Sequence, residues 1–330
     1  MQNNQLNNCF TSAMIGDAVG FHVECANAPQ VEKLTNLIRN QQEQLNLASL
    51  NEFELKDWIT GRLYTSGQIT DDTQSMLALM TAISQNPEAP YTDFAHNMLK
   101  LFKDQSIVAY GHTTKNAMLA FEKQGDWETC GDKERITNGS AMRVAPLGVL
   151  YKDDMVKLIE ASCLQSKVTH SHPIAQLSSL ALATAVACAA NGQIKNEEIM
   201  SAIMHNFVKA QQMFHFSDDD VAIFIPLVNR GYENIEDAHE SILAMDRHQK
   251  EQDYGISTFA PTCVFWSIAC FYLNPENFWE CVADSISIGG DTDTVATMSA
   301  ALHGAYKKTD GLERFSAWLH NHGEPISLPL

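Results

Sequence analysis

Two short segments of this chain crowd oxygen-bearing side chains behind glycine. One is "GQITDDTQSM", which sets Thr70, Asp71, Asp72 and Thr73 in a row. The other is "SIGGDTDTVATM", in which Asp291, Thr292, Asp293 and Thr294 follow a glycine pair. Asp and Thr are favoured helix N-caps, and capping accounts for one such side chain per helix. It does not account for neighbouring carboxylates, which repel unless a cation or a proton intervenes. The alternative to capping is a metal site. Its donors would all be oxygens, which selects a hard cation such as Mg2+, Mn2+ or Ca2+ over zinc. The number of carboxylates suits two ions better than one. Such a pair would polarise a substrate oxygen and lower the pKa of a bound water.

Two motif coincidences are set aside. "DTDTV" matches the D-x-D-x-[TV] loop of phosphoryl-transferring haloacid-dehalogenase-type enzymes, but that loop follows an apolar strand, and "SISIGG" is a weak one. Counting twelve residues from Asp291 reaches Leu302 and not a glutamate, so the segment is no EF-hand loop.

The elements that must position these oxygens read as helices. Apolar residues recur at three and four in "DDTQSMLALMTAI", "HPIAQLSSLALATAVACAA", "NEEIMSAIMHNFVKA" and "AHESILAM". Alternating β-branched stretches are scarce. Helix starts are expected at Asp71 before Thr73–Ile83, at Pro173, and at Asp291 or Asp293 before Thr294–Tyr306. The apolar runs Leu177–Ala190 and Phe259–Leu273 fall short of the ~18 residues of a membrane span and read as buried helices. No linker or repeat divides the chain, and the polar segment Gln41–Thr65 is the best candidate for a long excursion. The expectation is one all-α domain over residues 1–330.

Composition narrows the partners. At 330 residues and 45% hydrophobic content the chain can bury a sizeable core. A net charge of −18 without a Lys/Arg-rich run argues against a nucleic-acid partner. A phosphate ligand would have to be held by metal ions, backbone amides or a lone Arg. The eight cysteines form no C-x-x-C pair and read as reduced core thiols of a cytoplasmic protein. The first residues, "MQNNQLNNCF", lack the order of a signal peptide.

Five pieces in order, "GDAVG" with a following Glu24, "TDDT", "NGSAMR", "THSHP" and "GGDTDT…GAY", resemble the ADP-ribosylglycohydrolase family from about Ser12 to Tyr306. The resemblance implies a compact single-domain orthogonal helical bundle with a dinuclear Mg2+ or Mn2+ centre. It implies Thr70, Asp71 and Asp72 as one metal-ligand group and Asp291, Asp293 and Thr294 as the other, with Asp293 bridging both ions. Glu24, Asp71 and Asp72 are the implied proton acceptors. Asn138, Gly139, Ser140, Ala141, Met142 and Arg143 match the loop that wraps ADP-ribose, and His170 matches the histidine near its phosphates. Tyr110, Gly111 and the loop Gly255–Pro261 would line the adenine or distal-ribose side.

Loop chemistry agrees with that assignment. Glycine permits close backbone approach, and amides opening a helix hold pyrophosphate without much positive charge. Two features depart from the family pattern. Ala109 stands where arginine-directed members carry Asp, and Lys307–Lys308 follow "GAY". The segment 25–65 carries no family motif and would border the site entrance as an insertion or loop. The implied activity is metal-dependent hydrolysis of ADP-ribosyl bonds on protein side chains, arginine favoured, by a monomer that needs no membrane. Two other readings share the site. One is a protein that binds ADP-ribose or blocks an ADP-ribosyltransferase; the other is a hydrolase of free O-acetyl-ADP-ribose or of an ADP-ribosylated nucleoside or base.

Overall fold

The computed structural model describes residues 2–246, 254–309 and 311–329. The three-and-four spacing of apolar residues becomes helix almost throughout. Among the described residues there are sixteen α-helices and two hairpins with strands of two residues each. The expected all-α single domain is what forms.

The helices Gln2–Gly20 and Thr292–Tyr306 lie closely against each other. Glycine makes this approach possible. A Cβ on Gly16 would stand 2.3 Å from the Ala296 carbonyl oxygen, and one on Gly20 would stand 2.4 Å from that of Thr292. The glycines of "GDAVG" and the small residues of "ATMSAALHGAY" thus serve one backbone-to-backbone contact. Thr292 Oγ1 donates to the Gly20 carbonyl at 2.9 Å and ties the second acidic helix start to the end of the first helix.

Pro173–Ala190 runs through the centre, with every residue from Ile174 to Ala190 buried. It is 18 residues long with a mean hydropathy of 1.5, so by length and composition it does reach the size of a span, contrary to the sequence expectation. Within the fold 94% of it is buried. The helices Ala145–Leu150, Met155–Lys167, Asn196–Phe214 and Ala260–Leu273 pack around it. Each fully buried Leu, Ile or Phe there contributes about 1.5–3 kcal/mol of transfer free energy.

The segment 25–65 is more ordered than a long excursion. It opens with the helix Ala28–Gln41, whose Val31, Leu34 and Ile38 pack with Phe278, Trp279 and Val282 of the helix Phe278–Ser287. Arg39 pairs with Glu280 at 2.8 Å and with Asp284. The hairpin Leu55–Lys56 with Leu63–Tyr64 follows. "SISIGG" is the end of a helix and a turn, not a strand. Seven cysteines are buried; Cys25 is exposed and departs from the core reading.

Candidate active site

The first acidic helix start is capped by residues other than its paired carboxylates. Thr70 is the N-cap of Asp71–Gln85, one position earlier than expected, and its hydroxyl accepts from the Asp72 amide at 3.4 Å. Asp17, from the first helix, accepts from the Thr70 amide at 3.0 Å, the Thr70 hydroxyl at 2.8 Å and the Thr73 amide at 3.2 Å. These are the orphan donors of a first helical turn. Because Asp17 and Thr70 take them, the Asp71 and Asp72 carboxylates are released from capping. Asp72 Oδ2 accepts from Thr70 Oγ1 at 3.1 Å, while its buried Oδ1 has no partner.

The second start is set by a turn only glycine adopts readily. Gly289 and Gly290 have φ of +72° and +79°. Asp291 occupies the cap position of Thr292–Tyr306, but its side chain caps nothing. Instead Asp291 Oδ2 accepts from Asn138 Nδ2 at 2.6 Å. Asp293 Oδ1 accepts from the Thr294 amide at 2.9 Å. Neither aspartate supplies the cap expected from the sequence.

Both starts open into one cavity of about 260 Å3. Glu24, Asp71, Asp72, Asp291, Asp293 and Thr294 line one part of it. Asn138, Gly139, Met142 and His170 line another, and Trp58, Ile59, Ala109, Gly111 and Arg135 are among the remaining lining residues. A larger cavity of about 600 Å3, lined by residues from Pro87–Tyr91 and by Tyr151, Lys157 and Glu160, lies elsewhere and contains none of the acidic pairs. Chemistry, not volume, identifies the site.

Burial dominates the electrostatics. Desolvation lifts the Asp17 carboxyl to about 6. It pushes Glu24, Asp71, Asp72 and Asp293 well above the usual carboxylate range, and the neighbouring carboxylates push the same way. Asp291 is raised too, with the Asn138 hydrogen bond opposing. Such a group cannot ionise together without a counter-charge. Among the described residues no three His, Cys, Asp or Glu side chains already converge on a single ligation point. The donor chemistry nevertheless fits hard divalent cations. The polar side chains at the acidic end are oxygen donors, and Asp72 Oδ1 and Glu24 Oε2 are buried without partners.

Several expected ligand contacts stand behind the cavity wall. Arg143 is wholly buried and does not line the cavity. Its Nε donates to Gln165 Oε1 at 2.7 Å, Nη1 to the Gly139 carbonyl at 3.1 Å, and Nη2 to the Gln165 carbonyl and Thr169 Oγ1. The guanidinium also lies 4.8 Å from the Phe94 ring centre. Four of its five N–H donors are engaged in bracing the "NGSAMR" loop. Ser140 accepts from Ser166 and Ser179 at 2.8 and 3.0 Å, and Ala141 is core. Tyr110 turns to Phe102 in an edge-to-face contact at 5.7 Å. The Thr70 hydroxyl is held by Asp17. Arg143, Ser140 and Thr70 act on the site through neighbours, because other protein groups take their polar side-chain atoms.

His170 does line the cavity, but both ring nitrogens are engaged, Nδ1 with Thr169 Oγ1 at 2.7 Å and Nε2 with Thr137 Oγ1 at 2.9 Å. Burial lowers its pKa to about 3, so the ring is neutral. A Cβ on Gly139 would stand 2.7 Å from His170 Cε1. That close approach is what requires the glycine. Thr258, in the expected loop Gly255–Pro261, lines the cavity. Sequence reasoning missed Asp17, Trp58, Ile59 and Arg135. For Asp17 the signal was present inside "GDAVG"; for the others no motif marks them.

An all-α fold that closes an acid-walled cavity beside a glycine loop defines a class, and comparison with known proteins names it. The ADP-ribosylglycohydrolase family model matches residues 3–325. The chain belongs to the ADP-ribosylglycohydrolase family, hydrolases of ADP-ribosyl linkages. It is 25% identical over 327 residues to the human "ADP-ribosylhydrolase ARH3", covering 92% of this chain and 85% of that protein. It is 22% identical over 253 residues to "ADP-ribosyl-[dinitrogen reductase] glycohydrolase" of Rhodospirillum rubrum, covering 77% and 73%. A solved structure titled "ADP-ribosylglycohydrolase-related protein complex" shares the fold with a TM-score of 0.65 at 21% identity, covering 97% of this chain and 93% of that one.

Proposed function

We propose that the chain hydrolyses the bond between ADP-ribose and a modified protein side chain, with two Mg2+ or Mn2+ ions as cofactors. The observation that carries this reading is the meeting of the two acidic helix starts in one cavity beside the Asn138–Gly139 loop. Asp71, Asp72, Asp291, Asp293 and Thr294 would hold the ions, with Thr70 setting Asp72. When bound, the ions would orient ribose hydroxyls and lower the pKa of a water. Glu24, whose Oε2 is buried without a partner, would take the proton of the attacking water. The clustered carboxylates would stabilise positive charge developing at the anomeric carbon. Asn138 keeps Asp291 turned into the cavity.

Arginine is the favoured acceptor because the acidic cavity suits a guanidinium. Ala109 offers that group no carboxylate, so an acceptor panel of ADP-ribosyl-arginine, ADP-ribosyl-serine and O-acetyl-ADP-ribose ranks the substrates. A binding protein without turnover would not need buried carboxylate oxygens without partners, which favours the enzyme reading. The test is release of ADP-ribose from ADP-ribosylated protein with Mg2+ or Mn2+. Asp71→Asn and Asp293→Asn should each abolish it, and undiminished turnover in both would overturn the proposal.

A further inference from the structure

The carbonyl of Glu24 and the amide of Cys25 belong to one peptide group, and that group is held from two sides. Trp58 Nε1 donates to the Glu24 carbonyl at 2.5 Å. The Cys25 amide donates to the Gly290 carbonyl at 2.9 Å, next to Asp291. Cys25 itself sits at φ +53°, a left-handed conformation that a side chain adopts only when its surroundings enforce it.

Trp58 is 52% exposed, so burial of its ring does not explain its place. Its hairpin tip is fixed instead by Asp57, which is buried. Asp57 Oδ1 accepts from the amides of Ile59 and Thr60 at 2.8 and 3.0 Å, and Oδ2 accepts from the Ala109 amide at 3.3 Å. The tip is thereby tied to the Val108–Ala109 loop, and Val108 accepts from the Asp71 amide at 2.8 Å. A chain of hydrogen bonds links the first acidic helix start to Trp58, Trp58 to the Glu24 peptide, and that peptide to the second start. The Glu24 side chain leaves from the clamped peptide with Oε2 buried and unpaired at the cavity.

We infer that Trp58 is a positioning residue: its indole N–H orients the Glu24–Cys25 peptide and through it the Glu24 carboxylate. This rests on the role of Glu24 given above. The experiment replaces Trp58 with phenylalanine and, separately, with benzothienylalanine, which keeps the ring shape and lacks the N–H. Both should speed hydrogen exchange at the Cys25 amide and lower kcat about five- to tenfold, the worth of one hydrogen bond, with KM within about twofold. The melting temperature should stay within about 2 °C, because the ring is half exposed. In a Glu24→Gln background the same changes at Trp58 should cost nothing further. Unchanged exchange at Cys25 would overturn the clamp, and an equal loss in the Glu24→Gln background would overturn its action through Glu24. A wild-type protein that releases no ADP-ribose would overturn the role in catalysis together with the proposed function, while the exchange arm still decides the clamp.

Discussion

Thr294 Oγ1 donates to Asp72 Oδ2 at 3.4 Å, joining two helix starts 222 positions apart in sequence. Neither hydroxyl nor carboxylate is needed to cap its own helix, because Asp17 and Thr70 serve the first and Asp291 is turned to Asn138 at the second. The acidic side chains are therefore held for the cavity, and the fold around them is organised to bring the two starts together.

That organisation depends on the approach of Gln2–Gly20 to Thr292–Tyr306. Gly20→Ala would place a methyl 2.4 Å from the Thr292 carbonyl, which is backbone and cannot move aside alone. Overpacking of this kind costs about 1–3 kcal/mol or more. Chemical denaturation should show a loss in that range, and turnover should fall with it because the Thr292 helix carries the second acidic start. A fully stable and active variant would show that the helices separate without consequence.

Arg143 gives a second prediction, since its role here is to brace the loop and not to touch ligand. Arg143→Lys keeps a charge but loses the planar fork that serves Gln165, Thr169 and Gly139. Leaving a buried acceptor unsatisfied costs about 1–3 kcal/mol; the lysine variant should lose at least about 2 kcal/mol in a urea melt. Binding of ADP-ribose by the fraction that remains folded should weaken only modestly. A large rise in Kd at unchanged stability would return Arg143 to direct ligand contact.

The class of fold was legible because helical periodicity is a local property, repeated in segments such as Pro173–Ala190 and Asn196–Phe214. The acidic starts were legible because paired carboxylates at one helix end are chemically conspicuous. What escaped notice depends on contacts between distant residues. Asp17 became a cap for Thr70 only through tertiary packing across 53 positions. Arg143 read as a ligand contact, because a guanidinium in a glycine loop looks the same whether it faces solvent or Gln165. The hairpin with Trp58 has two residues per strand, too short for any alternating pattern to show.

Acid stability supplies a third prediction at His303, which is buried between Phe271 and Phe278, away from the cavity. Burial, with help from Lys307 and against Glu276, lowers its pKa from 6.5 to about 4. The unfolded chain therefore takes up the proton first. The group costs nothing above pH 6.5 and destabilises the fold progressively as pH falls from 6.5 towards 4. At pH 5 the cost is at most about 2 kcal/mol. The stability difference between the wild type and His303→Asn should shift by that amount in the variant's favour between pH 7 and pH 5. A pH-independent difference would mean that His303 does not carry the penalty.

Binding of Mn2+ to the whole protein, followed by calorimetry and by the electron paramagnetic resonance of the free ion, addresses the joined acidic starts most directly. The account predicts about two ions per chain, with Asp72→Asn and Asp293→Asn each weakening binding at least about tenfold, even though they lie on different helices. Asp72→Asn and Asp293→Asn variants that both bind Mn2+ like the wild type would contradict it.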